Sequence, residues 1–282
     1  MQLALLVLLG GLSACSTLRL GYNQADELIY WWLDGYADFD AEQSHRVRKA
    51  LTQWHAWHRR TQLPQYTALL VQLQTEVGKP TTPQRVCQWW SDGLAQLDVA
   101  FEQAVPSAAE LLLTLTQQQL AHIEQRQAKA NDEFRRDYLQ SDPGKRRKEA
   151  VRRAVDRAES FYGQLDDAQR EWLAVAVARS PFDPELWLAE RKARQQDALQ
   201  MLRSLQRQGS AADQAQATLR AYAERMSASP RPDYRRYADT LREYNCAVAA
   251  DVHNGATTPQ RQFLAAKLKG WETDLRALAA AE

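Results

Sequence analysis

Residues with the chemistry of helix starts recur along the whole chain and leave little room for any other element. Thr82-Pro83, Thr116, Asp142-Pro143, Asp166, Asp183-Pro184 and Thr258-Pro259 each set an N-cap side chain before a helical run. Several place proline at the first helical position, where its missing N–H costs nothing. Between these points apolar residues follow 3-4 spacing, as in Tyr66, Leu69, Leu70, Leu73 and Val77, and again in Tyr237, Leu241, Tyr244, Val248 and Val252. Val, Ile and Thr are sparse beside Ala, Leu, Gln, Arg and Glu, a bias toward side chains that lose little rotamer freedom in a helix. The expected fold is all-α: a multi-helix bundle of about ten helices with short Pro/Gly-punctuated connections and no sheet. The helix starts follow no fixed period, so the chain does not read as a solenoid.

The densest local signal lies between Tyr22 and Tyr66, which holds Trp31, Trp32, Trp54 and Trp57, four of nine tryptophans, and three of five histidines. Each indole needs a large covered surface, so this stretch is expected to pack against the rest of the bundle. Asn23 is expected to cap a helix carrying Leu28, Ile29, Trp32 and Leu33, with Gly35 stopping it. Asp40 to Gln43 has the form of a capping box opening a helix to about Leu63, broken by Pro64. Val47, Leu51, Trp54 and His58 share its stripe, with His55 about 60° round from it and His45 turned away. Further on, Val86, Trp90, Leu94, Leu97 and Phe101 form another stripe expected to face the core.

Met1 to Leu12 is an apolar run too short for a bilayer span, which needs about 20 residues, and suits a signal peptide. It ends in Leu12-Ser13-Ala14-Cys15, which resembles the lipobox of bacterial lipoproteins, where the cysteine is acylated. The Met-Gln start lacks the usual basic residue, which places the true start upstream as an alternative. By the same resemblance, Ser16 after the cysteine implies the outer membrane, with the protein facing the periplasm. Residues 1–14 are then the signal peptide, 15–22 a lipidated tether and 23–282 a helical domain, with a sub-boundary near 140–144. Cys87 and Cys246 remain: in an oxidising compartment they either join, closing a loop worth about 4 to 5 kcal/mol in the chain-entropy picture, or stay as two buried thiols.

The segment from Leu18 to Tyr66 behind this lipobox, with LAHIEQRQAKANDEFRRDYL and NCAVAADVHNGATTPQRQ, resembles a proteobacterial family of predicted lipoproteins classed only as a domain of unknown function. The resemblance implies a helical envelope lipoprotein and no assigned activity. Leu115-Thr-Gln-Gln-Gln119, and more loosely Leu165-Asp-Asp-Ala-Gln169, is similar to the LTxxQ motif of Spy/CpxP-type periplasmic chaperones, where it caps helices of a client-holding cradle. Thr116 with Gln119 is equally a plain capping box.

The catalytic patterns sought are absent: no GxSxG, P-loop or GxGxxG occurs. His55 and His58 are the candidates for a metal, but the pattern is HxxH around Ala56-Trp57, without the HExxH general base, so no metal or cofactor is expected. Asp34, Asp38 and Asp40 near Trp31 and Trp32 admit an alternative, an envelope hydrolase acting on peptidoglycan or another glycan over Tyr30–Asp40. Lys145, Arg146, Arg147 and Lys148 with Arg152 and Arg153 form the densest positive cluster, expected as a solvated face or a contact for anionic lipid. A net charge of +1 gives no general pull toward nucleic acid. The leading expectation is a non-enzymatic, lipid-anchored helical protein that binds envelope proteins or unfolded clients, with Trp31, Trp32, Trp54, Trp57, His55 and His58 as its candidate surface.

Overall fold

The computed structural model describes residues 17–209 and 211–281; the expected signal peptide and Cys15 lie outside the described residues. Helices run as α1 (Thr17–Asn23), α2 (Ala25–Ala37), α3 (Ala41–Gln74), α4 (Pro83–Leu112), α5 (Gln117–Tyr138), α6 (Pro143–Tyr162), α7 (Asp167–Arg179), α8 (Pro184–Gln208), α9 (Ala212–Ser227), α10 (Pro232–Asn254) and α11 (Thr258–Ala280). No strand occurs among the described residues, so the all-α bundle expected from the helix-start pattern is the observed fold.

Two apolar centres organise these helices. α2, α3, α4, α9, α8 and α5 pack in that cyclic order. They enclose a core that includes Ala109, Leu115, Leu120, Leu202, Leu205 and Ala215. α11 lies along α3 and touches α1 and α6, α6 carries α7, and α10 packs on α4. There the centre is Val77, Leu264 and Leu268, with Leu70, Leu73 and Trp271 against them. α3 joins the two centres because its 34 residues reach about 50 Å at the helical rise.

That length overturns the expected break at Pro64, which sits inside α3. Leu63 and Thr67 on either side of it are buried, while Pro64 itself is exposed. The carbonyl freed by the missing N–H is that of Arg60, an exposed residue, so water replaces the lost donor and packing holds the helix through. Pro106 in α4 repeats the arrangement between buried Val105 and Ala109.

Four other local expectations are corrected. Asn23 ends α1 instead of capping α2, and its side chain accepts from Arg59 at 2.8 Å. Gly35 does not stop α2, which runs to Ala37 and ends on Asp38 in the left-handed region at φ 52°, a conformation the short Asp side chain tolerates. The cap of α11 is Thr257, with Thr258 and Pro259 in its first turn. Residues 17–22 of the expected tether are part of α1, where Arg19 donates to Asp274 of α11 at 2.7 Å.

Cys87 of α4 and Cys246 of α10 are joined by a disulfide, with Cα atoms 5.5 Å apart. Buried carboxylates add further ties. Glu190 of α8 is pulled up by burial, but hydrogen bonds from Arg231, Arg194 and Ser229 outweigh that and hold it at about 2. Glu272 of α11 accepts from Gln74 of α3, Lys269 and Arg276, which hold it at about 2 as well. The disulfide encloses 159 residues of sequence separation, so its loss should cost about 4 to 5 kcal/mol. Cys87→Ser is expected to lower Tm by roughly 8–15 °C while far-UV circular dichroism at 20 °C stays helical, as calorimetry and spectroscopy will show.

Candidate functional site

The polar chemistry of this molecule concentrates at helix N-termini. α3, α5, α7 and α11 each begin with a capping box whose third residue is glutamine: Asp40 with Gln43, Thr116 with Gln119, Asp166 with Gln169 and Thr257 with Gln260. Those glutamines then meet in pairs. Gln43 Nε2 donates to Gln119 Oε1 at 3.2 Å and Gln119 Nε2 returns a bond at 2.6 Å. Gln169 and Gln260 do the same at 2.8 Å in both directions. Each amide also reaches the carbonyl two residues before its partner's cap: Gln43 to Thr114, Gln119 to Asp38, Gln169 to Gly255 and Gln260 to Gln164. With Oε1 of each glutamine also accepting from its own cap N–H, all four hydrogen-bonding positions of every side-chain amide are filled. Leu115 and Leu120, before and after the Thr116 box, share one core and close it as a hydrophobic staple.

The sequence singled out three of these boxes and missed the fourth, because Thr258-Pro259 looked like the start of α11. What it could not show is the pairing. The signal common to all four is an apolar residue, then Asp or Thr, two residues, and Gln: Phe39 to Gln43, Leu115 to Gln119, Leu165 to Gln169 and Ala256 to Gln260.

The histidine stretch forms a second polar node. His58 Nδ1 lies 2.9 Å from the Tyr22 hydroxyl and Nε2 lies 3.1 Å from the Tyr66 hydroxyl, so the ring bridges α1 and α3 with both nitrogens occupied. The Trp54 ring centre is 4.8 Å away, and the Trp54 N–H donates to the Ala100 carbonyl of α4 at 2.9 Å. Burial, with a smaller contribution from His55, pushes His58 down to about 4. Burial likewise raises Tyr22 to about 12 and moves Tyr66 upward. His55 is also buried and shifted downward by burial, with its ring 4.7 Å from Tyr22. These groups hold the aromatic node in its neutral form. His45 is exposed and stands apart. Among the described residues no three His, Cys, Asp or Glu side chains come together to hold a metal.

Trp31 and Trp32 depart from expectation. They are 61% and 63% exposed, beside an equally exposed Leu28, because α2 turns Tyr30, Leu33 and Ala37 inward instead. Asp34 and Asp40, offered as part of an acidic cleft, accept from the backbone N–H of Phe39 and Gln43 and serve as turn and cap. The α4 stripe is reversed too. Trp90, Leu94, Leu97 and Phe101 face solvent, while Ala100, Val105 and Ala109 face inward.

The basic run opens α6. Arg146 donates to the Gln140 carbonyl, Arg152 pairs with Glu149 and Asp156, and Arg153 lies 4.3 Å over the Tyr138 ring. Lys145, Arg147 and Lys148 are exposed. This face therefore divides between holding the α5–α6 joint and meeting solvent. Two concavities open on the surface of the described residues. A cleft of about 580 Å³ opens beside the Gln169–Gln260 pair, with Tyr162, Trp172 and Asp251 in its wall. A groove of about 330 Å³ between α1, α3, α4 and α11 is lined by Leu18, Leu70, Leu73, Trp89, Gly93 and Trp271.

Fold and sites together define a disulfide-stapled helical bundle whose polar side chains act mainly as caps and ties. The chain belongs to a family of unknown function (DUF6279), whose match covers residues 35–235 and so takes in three of the four glutamines. No curated protein and no solved structure matches it. No helix of the described residues is long and apolar enough to cross a membrane.

His58 carries a pH dependence. Its folded value of about 4 lies below the ordinary 6.5, so the unfolded chain binds the proton first. Stability from this group is complete above about pH 6.5 and is lost as pH falls toward 4. Urea midpoints measured from pH 7 to 5 should fall more steeply in the native chain than in His58→Gln.

Proposed function

We propose that this protein is a non-enzymatic binding protein of the bacterial envelope, held to the periplasmic side of the outer membrane by acylated Cys15, that engages apolar segments of other proteins in a chaperone-like manner. The observation that carries the reading is the outward face of α4, where Trp90, Leu94, Leu97 and Phe101 align at 4-3-4 spacing in solvent. A row with that spacing suits an amphipathic or unfolded segment laid along the helix. A single exposed leucine would mean little, but a continuous row of large apolar side chains marks an interaction surface. Asp98 borders it in solvent, while Glu102 is paired with Arg220 of α9. The Cys87–Cys246 bond fits an oxidising compartment, and the LTxxQ similarity to periplasmic chaperones points the same way. A hydrolase on Tyr30–Asp40 gains no support, since Asp34 and Asp40 are committed to backbone N–H groups and the neighbouring tryptophans face outward.

The test is suppression of client aggregation by the full chain carrying Cys15→Ser, at several molar ratios and with several unfolded clients. Suppression is expected, and Leu94→Glu with Leu97→Glu should reduce it at least about fivefold while leaving Tm within roughly 2 °C, since both side chains are exposed. Failure with every client, or suppression indifferent to the α4 substitutions, contradicts the reading.

A further inference from the structure

The 330 Å³ groove is unlike the rest of the surface. Its walls are apolar side chains from α1, α3, α4 and α11, and the charged groups near its rim already have partners: Arg19 with Asp274, and Arg85 with Glu76 and the face of Trp89. The one hydroxyl among its lining residues, that of Tyr66, is engaged with His58, so a ligand with a polar head finds no free hydroxyl or charged partner among them. An alkyl chain needs no such partner. The size agrees, because a dry cavity of about 150 Å³ accepts a benzene-sized ligand, and 330 Å³ therefore takes on the order of twelve carbon atoms in a row.

The position of the groove names the chain. Leu18 forms part of its wall and stands three residues after Cys15, a span of at most about 10 Å when extended. A chain covalently fixed at Cys15 is delivered to the groove without any recognition of a head group, and it arrives at high effective concentration. Resting on the acylated-Cys15 reading above, we infer that one acyl chain carried by Cys15 lies in the groove between α1, α3, α4 and α11. The consequence is a divided anchor. Stable anchoring needs more than one chain in the bilayer, so each chain withdrawn from it weakens the grip of the rest. The groove and the membrane therefore compete for one chain, and whatever covers or opens the groove alters the grip of the protein on the membrane.

Gly93 supplies the means to test this. A Cβ added there meets no atom within 4 Å, and the residue lies in the middle of α4 on the groove wall. Gly93→Leu therefore fills the groove and, by removing a mid-helix glycine, does not weaken the helix. Bacterial cells making the full chain are fed a photoactivatable diazirine fatty acid, irradiated, and the purified protein is digested for mass spectrometry. Acylation of Cys15 with crosslinks to peptides spanning residues 66–73, 89–93 and 271–275 is expected. Those crosslinks should drop at least fivefold in Gly93→Leu at equal acylation and equal helicity. Acylated protein crosslinked only to bulk lipid overturns the inference and leaves the anchor standing. Groove crosslinks that persist in Cys15→Ser assign the site to a lipid of the membrane and overturn its assignment to Cys15. Absence of any acyl mass on Cys15 overturns the anchor, and this inference with it.

Discussion

A helix N-terminus buried inside a protein presents donors that have no partner within the helix, and every such end must be answered by something. In this bundle four of them are answered in pairs by the same device. The paired glutamines satisfy their own helix, the partner glutamine and the partner's loop at once, so that neither helix start can be placed without the other. Gln43 to Gln119 joins α3 to α5 in one half of the molecule, and Gln169 to Gln260 joins α7 to α11 in the other. A network of this kind is cooperative. A fully satisfied amide in low dielectric is strong, while an orphaned one costs about 1–3 kcal/mol, so removing one member damages several bonds.

What lies between the two clasps follows from that placement. α3 has its first turn fixed in one clasp and its C-terminal half packed along α11, whose own first turn is fixed in the other. Continuous helix through Pro64 is the result, with the proline ring on the wet side. The disulfide then ties the first turns of α4 to α10. Trp90, Leu94, Leu97 and Phe101 remain outside, and the apolar groove opens where Trp89 and Gly93 of α4 meet α1, α3 and α11. The exposed apolar row and the groove thus lie on helices whose ends the clasps and the staple hold.

Much of the fold was legible because helix starts are local chemistry. Thr82, Thr116, Asp142, Asp166 and Asp183 cap where their side chains say they should, with proline following at Thr82, Asp142 and Asp183. Stops and faces were less legible, because packing decides them. Gly35 permits a stop but does not require one, and Pro64 forbids a bond only on a face where water can replace it. The α4 stripe has the spacing of a core helix, yet spacing alone does not say which face of a helix its neighbours cover. Among candidate site residues, His55 and His58 are buried as their spacing allowed, with His58 held by two tyrosines. Trp31 and Trp32 are exposed, which suits a candidate surface but not the expectation that the bundle covers their rings; tryptophan's preference for cover is a statistical tendency, and α2 had smaller residues available for its inner face. The pairing of glutamines separated by 76 and 91 positions could not be read from local pattern at all.

The most direct measurement is a double-mutant cycle on one clasp. Gln43→Ala, Gln119→Ala and the double variant would be compared with the native chain by urea denaturation at pH 7. If the clasp acts as a unit, each single change costs about 1–3 kcal/mol, and the double change costs at least about 1 kcal/mol less than their sum. Losses that add to within about 0.5 kcal/mol would show two independent caps, and the view that paired helix ends organise this bundle would be wrong.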